Sequence, residues 1–310
     1  MSRGPDEGKE LGLEPESGLP YSKGLTAQTL MATGLSPESS YRLAAALEQR
    51  LLHAGRRTIR LDDLRDISHE MLGEAESAAL MERLLRWRRV RTLERPLIIL
   101  IGGTTGVGKS TLANQLAHRL GIVRVASTDM VRQVMRAFFA ADLMPAVHSS
   151  SFDCAAAVPV PVPEGVDLTL AGFMEQVRAV QVGIEALVAR AVEEKQGFII
   201  EGVHLVPGHL DATRWGEALV VELVVTVPER RRHEQHFTFR DWHTGGMRSL
   251  QRYLDHLDEI RRIQDLIRQR AVERGVTVVE NRDIDAAVAR ALDEVLDAVA
   301  VDSAAAGPGE

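Results

Sequence analysis

The sequence predicts an α/β fold in which helices flank a mainly parallel sheet, with a small N-terminal helical domain in front of it. Over residues 95–300, five short apolar runs alternate with segments of helical periodicity, as in a sheet built from strand and helix repeats. A glycine-rich loop joins the first apolar run to the helix that follows it. Residues 18–94 show helical periodicity almost throughout, which indicates a separate helical domain of roughly seventy residues.

The glycine-rich loop has the spacing G-x-x-x-x-G-K-[ST], which is typical of a phosphate-binding loop. Glycines let successive backbone N–H groups face a polyphosphate, and the helix after the loop points the positive end of its dipole at the same anion. Lys109 is then expected to bind the β- and γ-phosphates of ATP, and the Ser110 hydroxyl to bind Mg²⁺. A chance glycine-rich turn would share the spacing but not the strand before it and the helix after it. The predicted ATP-binding residues are Gly103, Thr104, Thr105, Gly106, Val107, Gly108, Lys109, Ser110 and Thr111.

The composition narrows the classes of protein to consider. With 310 residues, of which 45% are hydrophobic and 26% charged, the chain is long enough for one large and one small globular domain. A formal net charge of -7 argues against binding nucleic acid through a general basic field. The single cysteine, Cys154, excludes an internal disulfide and favours a reducing compartment. No apolar run approaches the ~20 residues that span a bilayer, so we expect a soluble cytoplasmic protein without membrane partners.

The ends of the chain differ in composition from the domains between them. Residues 1–17 are polar, rich in Gly, Pro and Glu, and without periodicity, and residues 301–310 are mostly small; we predict that both are disordered tails. Within the helical domain, Ser36 and Pro37 are the residue types preferred at a helix cap and at the first helical position.

The helical domain resembles the ATP-cone, a small module that binds regulatory nucleotides, in the order of its helices and in the ending L-x-x-W-R-R-V-R. The β-hairpin that usually begins an ATP-cone is not evident in residues 1–20. A purely structural helical cap on the following domain therefore stays an equal alternative.

A candidate acceptor site begins after the second predicted strand, IVRVAST, with Asp129 at the start of the next helix. Arg132 and Arg136 follow three and seven residues later, on the same helix face. A carboxylate can orient or deprotonate a hydroxyl group, and guanidinium groups bind phosphate or carboxylate. This stripe suits a small acceptor with one hydroxyl and fixed negative charges. A capping Asp followed by two solvated arginines is the competing interpretation.

Residues 143–167 hold four prolines and no clear period, which predicts a long loop. Its HSSS sequence offers imidazole and hydroxyl groups close to the candidate acceptor site, so His148, Ser149 and Ser150 are candidate acceptor-binding residues. His148 is also a candidate general base, although an isolated loop histidine is more often a structural donor.

Glu201 ends the third predicted strand, in the sequence GFIIEG. A carboxylate at that position resembles the acidic element that holds Mg²⁺ in phosphate-loop proteins, usually through water. A surface carboxylate at a strand end is the alternative interpretation.

The segment RRRHEQHFTFRDWHTGG follows the fourth predicted strand and is strongly basic. Near residues 228–250 it is similar to the mobile lid of small-molecule kinases, which closes over the triphosphate and brings arginines to the transferred group. His233 and His236 have a spacing that metal ligands can have, but no cysteine or clustered carboxylate completes a zinc site.

The motifs SKGLTAQTLMATGL, IGGTTGVGKSTLANQLA, STDMVRQVMR, HSSSF, IIEGVHLVPG and RYLDHLDEIRRIQD together resemble the 2-phosphoglycerate kinase family, over about residues 20–300. The resemblance implies transfer of the γ-phosphoryl group of ATP to the free hydroxyl of 2-phosphoglycerate, giving 2,3-bisphosphoglycerate and ADP. The chain departs from the family in one respect. Where the family tends to have H-x-x-R-F at the lid, this sequence has a histidine at position 236, so Arg240 becomes the best lid candidate.

The motifs and the resemblance combine into one hypothesis for the mechanism. Lys109 and Arg240 neutralise charge during an in-line transfer, and Asp129 orients the acceptor hydroxyl. The predicted catalytic residues are Lys109, Asp129 and Arg240, the predicted Mg²⁺ ligands are Ser110 and, through water, Glu201, and the predicted acceptor-binding residues are Asp129, Arg132, Arg136, His148, Ser149 and Ser150.

Two alternatives remain at this point. The same motifs would serve a kinase that acts on another phosphorylated polyol or an inositol phosphate. A non-enzymatic ATP-sensing module would bind ATP and transfer nothing to a small alcohol. The sequence leaves the oligomeric state open.

Overall fold

The computed structural model describes residues 21–56, 59–91, 93–158, 163–243 and 250–305. The predicted N-terminal tail and residues 306–310 lie outside these ranges. The chain divides into two compact units, which are Met1–Leu93 with His118–Gly121 and Leu296–Glu310, and Glu94–Ala117 with Ile122–Val295.

The first unit contains the helices predicted for the N-terminal region. They are α1 (Lys23–Ala32), α2 (Pro37–His53), α3 (Leu61–Leu72) and α4 (Glu74–Arg91). The Ser36 hydroxyl accepts a hydrogen bond from the Ser39 N–H at 3.2 Å and so caps α2, with Pro37 at its first position. The predicted cap and proline therefore begin this helix as expected.

A buried carboxylate anchors α3 within the first unit. Asp63 accepts from the Arg56 guanidinium at 2.7 Å and from the Arg60 N–H at 3.1 Å. Burial alone would raise the pKa of Asp63, but these hydrogen bonds and the positive charges of Arg56 and Arg50 hold that pKa below its usual value. Asp63 is therefore a charged group inside the helical unit that is stabilised by its partners.

From residue 97 onward, strands and helices alternate as the sequence predicted. The strands are β1 (Leu97–Gly102), β2 (Arg124–Ser127), β3 (Phe198–Gly202), β4 (Leu219–Thr226) and β5 (Thr277–Glu280). The helices are α5 (Lys109–Leu120), α6 (Thr128–Phe138), α7 (Pro145–His148), α8 (Leu168–Glu193), α9 (Arg230–His243), α10 (Leu250–Asp255), α11 (Leu257–Arg274) and α12 (Ile284–Ala305).

The five strands form one sheet in the order β2-β3-β1-β4-β5, and every neighbouring pair is parallel. β1 lies in the centre, with Ile98 opposite Phe198 on β3 and Leu97 opposite Leu219 on β4. All residues of β1 and β3 are buried, which explains their continuous apolar runs. Because the strands are parallel, their carboxyl ends meet at one edge, where ligands of such sheets bind.

The structure differs from the sequence prediction at three places in this part of the chain. α6 begins at Thr128, one residue earlier than predicted, because the Ser127 hydroxyl caps it. The predicted loop over residues 143–167 contains α7, whose first residue is Pro145, and a 3₁₀ turn at Ala155–Ala157. α12 continues to Ala305, beyond the predicted start of the tail at residue 301.

In the part of the chain that the structure describes, each helix is too short or too polar to cross a lipid bilayer.

Candidate active site

The phosphate-binding loop joins β1 to α5 and takes a backbone conformation that requires glycine. Its glycines have φ angles of 141° at Gly103, 85° at Gly106 and 93° at Gly108. A Cβ atom on Gly106 would lie 2.4 Å from the Phe237 ring, and one on Gly108 would lie 2.4 Å from the Asn281 amide nitrogen. Neighbouring side chains therefore enclose the loop at Gly106 and Gly108, and the buried Phe237 ring leaves no room for a side chain at Gly106.

Four consecutive carbonyl oxygens of this loop accept hydrogen bonds from side chains. The donors and acceptors are Lys109 Nζ to Thr104 O at 2.7 Å, His233 Nε2 to Thr105 O at 2.8 Å, His236 Nδ1 to Gly106 O at 2.9 Å, and Asn281 Nδ2 to Val107 O at 2.8 Å. In a trans peptide unit the N–H points opposite to the carbonyl. The N–H groups of residues 105–108 therefore point away from these donors, as a site that binds an anion through its backbone requires.

Lys109 lies at the start of α5 with its side chain buried. Burial lowers the pKa of Lys109, and the carboxylates of Glu201 and Asp129 act in the opposite direction. The two carboxylates therefore favour the charged form of Lys109, against the effect of burial. Sequence analysis selected all three of these residues separately.

Ser110 and Glu201 form a direct contact at the same edge of the sheet. The Ser110 hydroxyl donates to Glu201 Oε1 at 2.8 Å. Glu201 is buried near the end of β3, where it is in register with Ile101 of β1 and Ser127 of β2. Hydroxyl and carboxylate oxygens are the protein ligands that Mg²⁺ prefers, so this pair fits the predicted metal role.

The described ranges contain no group of three or more His, Cys, Asp or Glu side chains that could hold a metal ion. A magnesium ion at Ser110 and Glu201 would therefore need further oxygen ligands, such as phosphate oxygens and water.

Asp129 is the second residue of α6, with 58% of its side chain exposed, and it pairs with Arg132 at 3.4 Å. Arg132 also donates through Nη1 to the carbonyl oxygens of Val147 and Ser149, both at 3.1 Å. Arg132 therefore connects α6 to the predicted acceptor loop, a structural contact that the sequence pattern did not indicate. Arg136 is exposed one turn farther along α6.

Two polar residues of the acceptor loop have structural partners. His148 Nε2 donates to the Phe139 carbonyl oxygen at 2.8 Å, so this ring nitrogen carries a hydrogen. The Ser150 hydroxyl accepts from Arg252 at 3.0 Å, and the Ser150 carbonyl accepts from Cys154 Sγ at 2.8 Å. Burial raises the pKa of Cys154 to about 12, so its thiol stays protonated and donates to the loop.

A buried network that sequence analysis missed supports this loop. His204 Nδ1 accepts from the Thr128 hydroxyl at 2.7 Å, and His204 Nε2 donates to Gln176 Oε1 at 3.0 Å. Gln176 Nε2 in turn donates to the carbonyl oxygens of Ala146 at 2.5 Å and Ser149 at 3.0 Å. Burial lowers the pKa of His204 to about 4, which keeps the ring neutral, as both hydrogen bonds require. In the sequence, the position of His204 shortly after Glu201 was the one indication that this histidine lies near the candidate site.

The predicted lid begins with α9, whose first half contacts the phosphate-binding loop. The His233 ring stacks on Phe237 at 5.0 Å, Phe237 stacks on Tyr253 at 5.0 Å, and Tyr253 meets Phe152 edge to face at 5.9 Å. These rings run from the phosphate-binding loop toward the acceptor loop. Arg240 belongs to α9, but its side chain and residues 244–249 lie outside the described part of the chain.

The chain is similar to several curated proteins over most of its length, whereas no family model matches it. It is 35% identical over 279 residues to the 2-phosphoglycerate kinase of Pyrococcus furiosus, covering 90% of each chain. It is 36% identical over 265 residues to the enzyme of that name from Methanothermobacter thermautotrophicus, covering 86% of each chain. With the protein of that name from Methanopyrus kandleri it shares 36% identity over 270 residues, which is 87% of this chain and 82% of the relative.

Proposed function

Because the chain belongs to the 2-phosphoglycerate kinase family, a family of phosphotransferases, we propose that it transfers the γ-phosphoryl group of ATP to the free hydroxyl of 2-phosphoglycerate. The products are 2,3-bisphosphoglycerate and ADP. The main structural support is that Ser110, the neighbour of Lys109, contacts Glu201, which lies in register with Ser127, two residues before Asp129.

The phosphate-binding loop receives the triphosphate through its backbone N–H groups, and Lys109 contributes a positive charge to the β- and γ-phosphates. To do so, the Lys109 ammonium group exchanges its hydrogen bond to the Thr104 carbonyl for one to phosphate oxygen. Ser110 and Glu201 are the residues that would hold Mg²⁺, and the ion would neutralise charge on the β- and γ-phosphates.

Asp129 orients the acceptor hydroxyl for an in-line attack, since its exposed carboxylate lies in the first turn of α6, directly after the carboxyl end of β2. Arg132 keeps Val147 and Ser149 in position with its Nη1 hydrogens, while its Nε side pairs with Asp129. The exposed Arg136 binds an anionic group of the acceptor. Phosphoryl transfer of this kind depends on positioning and on charge neutralisation more than on a strong base.

The remaining assignments concern the acceptor loop and the lid. His148, Ser149 and Ser150 line the acceptor side, where Arg252 on Ser150 adds a second guanidinium group for phosphate or carboxylate. Arg240 on α9 neutralises charge that develops on the transferred group.

Binding of a regulatory nucleotide to the helical unit is a separate proposal that rests on its resemblance to the ATP-cone.

Phosphorus NMR of the purified protein with Mg·ATP and 2-phosphoglycerate tests the proposed reaction. We expect ADP and 2,3-bisphosphoglycerate, with no product from 3-phosphoglycerate or glycerate in parallel samples. The Lys109→Ala protein, measured beside it, controls for contaminating kinases. Absence of transfer by a protein that binds ATP would refute this acceptor and direct attention to larger phosphorylated alcohols, including inositol phosphates.

A further inference from the structure

We propose that His233 and His236 are positioning residues for ATP, which hold the phosphate-binding loop from α9 so that its N–H groups face the triphosphate. This inference rests on the proposed function only in taking the loop as the ATP site. Neither histidine touches the nucleotide in this arrangement, because both act through the backbone of the loop.

The two histidines hold adjacent peptide units. His233 Nε2 donates to Thr105 O at 2.8 Å, and His236 Nδ1 donates to Gly106 O at 2.9 Å. Residues three apart on a helix lie on the same face, so one turn of α9 supplies both donors. Each histidine uses a different ring nitrogen, and each of these nitrogens carries a hydrogen because a carbonyl oxygen only accepts.

The position of α9 against the loop is fixed by packing. Phe237 is fully buried in a cluster with Phe173, Val224 and Ile263, and the His233 ring stacks on it at 5.0 Å. A Cβ atom on Gly106 would lie 2.4 Å from Phe237 and 3.1 Å from His233 Nε2. The loop thus rests against two rings that the core holds in place, and the hydrogen bonds set its orientation on them.

The His233 ring holds the loop without adding charge to it. Burial lowers the pKa of His233 to about 4, so the ring is neutral near pH 7. A neutral ring that binds a carbonyl does not compete with Lys109 for the phosphates. The His236 side chain contacts the same loop one peptide unit farther along, through Nδ1.

An exchange of asparagine and glutamine at these two positions tests the proposal. The asparagine amide nitrogen replaces Nδ1 of histidine, and the glutamine amide nitrogen replaces Nε2. At position 233, which uses Nε2, we expect His233→Gln to retain ATP affinity and His233→Asn to lose it. At position 236, which uses Nδ1, we expect His236→Asn to retain affinity and His236→Gln to lose it. The preferred amide therefore reverses between the two positions.

Calorimetric titration of the four full-length variants with Mg·ATP, without acceptor, measures the effect. We expect the two mismatched variants to bind ATP about ten-fold more weakly or worse, and the two matched variants to stay within about three-fold of the parent. The thermal unfolding midpoints of the two variants at each position should be similar, because their volumes and polarity are close. His236 is only half-buried, so its pair remains informative if substitutions of the buried His233 prevent folding.

Equal ATP affinity of the asparagine and glutamine variants at position 236 would overturn the proposal. A change in the acceptor KM with unchanged ATP affinity would overturn it as well. Because binding is measured without acceptor, failure of the proposed reaction with 2-phosphoglycerate would leave this result valid.

Discussion

The hydroxyl group of Ser110 and the carboxylate of Glu201 meet at 2.8 Å, although 91 residues separate them in the sequence. The contact joins the first turn of α5 to the end of β3. It places a hydroxyl and a carboxylate group beside the phosphate-binding loop, on the side where Lys109 begins the helix.

Replacement of the carboxylate tests the magnesium role of this pair. Glu201→Gln keeps the shape of the side chain and removes its charge, so we expect the Mg²⁺ concentration for half-maximal ATP binding to rise about ten-fold. Titration with Mg²⁺ at fixed ATP measures this effect. Glu217→Gln, the same change at an exposed position, is the control. An unchanged Mg²⁺ requirement in Glu201→Gln would assign the carboxylate a structural role.

The crowded environment of Gly106 predicts a specific loss of nucleotide binding. Gly106→Ala adds a Cβ atom at a φ of 85° and 2.4 Å from the Phe237 ring. We expect ATP affinity to fall by more than about ten-fold, because relieving the contact with the buried Phe237 ring shifts the loop backbone from the conformation proposed to bind ATP. Gly275→Ala is the matched control, because its φ is 68° and no atom lies within 4 Å of the added Cβ. The free energy of unfolding of that control should fall by about 1 kcal/mol, and its ATP affinity should be unchanged.

Asp129 is expected to act in turnover more than in nucleotide binding. Asp129→Asn preserves the side-chain shape and lowers its ability to orient the acceptor hydroxyl, so kcat should fall about ten- to hundred-fold. The KM for ATP should change less than about three-fold, because the loop and Lys109 are intact. Steady-state kinetics with both substrates varied gives these values, with the exposed Asp142→Asn as the control. A rise in the KM for ATP at normal kcat would contradict the assigned role.

The buried histidines predict how stability depends on pH. The pKa of His204 is about 4 in the fold, below the usual value of 6.5. Between these values the unfolded chain binds more protons than the folded one, so the free energy of unfolding falls as the pH falls from 6.5 toward 4 and is level above 6.5. The loss reaches about 3 kcal/mol for this histidine, at 1.36 kcal/mol for each pKa unit.

Urea unfolding at pH 7, 6, 5 and 4.5 measures this dependence. The His204→Gln protein should show a shallower loss of stability than the parent, because its residue 204 no longer takes up a proton on unfolding. His53→Gln, a change at an exposed residue of α2, controls for the number of histidines. Parallel curves for His204→Gln and the parent would show that this ring does not titrate as inferred.

The Asp63 anchor predicts the stability of the helical unit. Asp63→Asn removes the charge that Arg56 and the Arg60 N–H bind, and we expect a loss of about 1–2 kcal/mol in the free energy of unfolding. Because the pKa of Asp63 is lowered in the fold, its contribution is present above the unfolded pKa and is lost as the pH falls through the folded pKa. Asp62→Asn, whose side chain is 68% exposed, should change stability by less than about 0.5 kcal/mol. Equal losses of stability in Asp63→Asn and Asp62→Asn would show that the buried Asp63 does not anchor α3.

Local sequence patterns were sufficient to predict the strands, most of the helices and the phosphate-binding loop. The five strands, the cap at Ser36 and the loop before Lys109 depend on neighbouring residues, so their signals lie within short windows. Glu201 was also found locally, because a polar residue at the end of a buried strand stands out in an apolar run.

The sequence pattern did not show which side chains hold the loops. His233 lies 128 positions from Thr105, and Gln176 lies 28 positions from His204, so no periodic signal links the members of either pair. Arg132 fits an anion-binding stripe by spacing, whereas its contacts with Val147 and Ser149 depend on how residues 143–167 fold back. Proline in that segment suggested a loop, yet Pro145 begins a helix.

The hydrogen bond from Asn281 to the Val107 carbonyl spans 174 positions and comes from the residue after β5. On the ribosome, the phosphate-binding loop is therefore made long before Asn281, the donor to its Val107 carbonyl. A nascent chain that ends after α9 already contains Lys109, His233 and His236, but not Asn281. The set of hydrogen bonds that holds the loop from Thr105 to Val107 is therefore complete only near the end of translation.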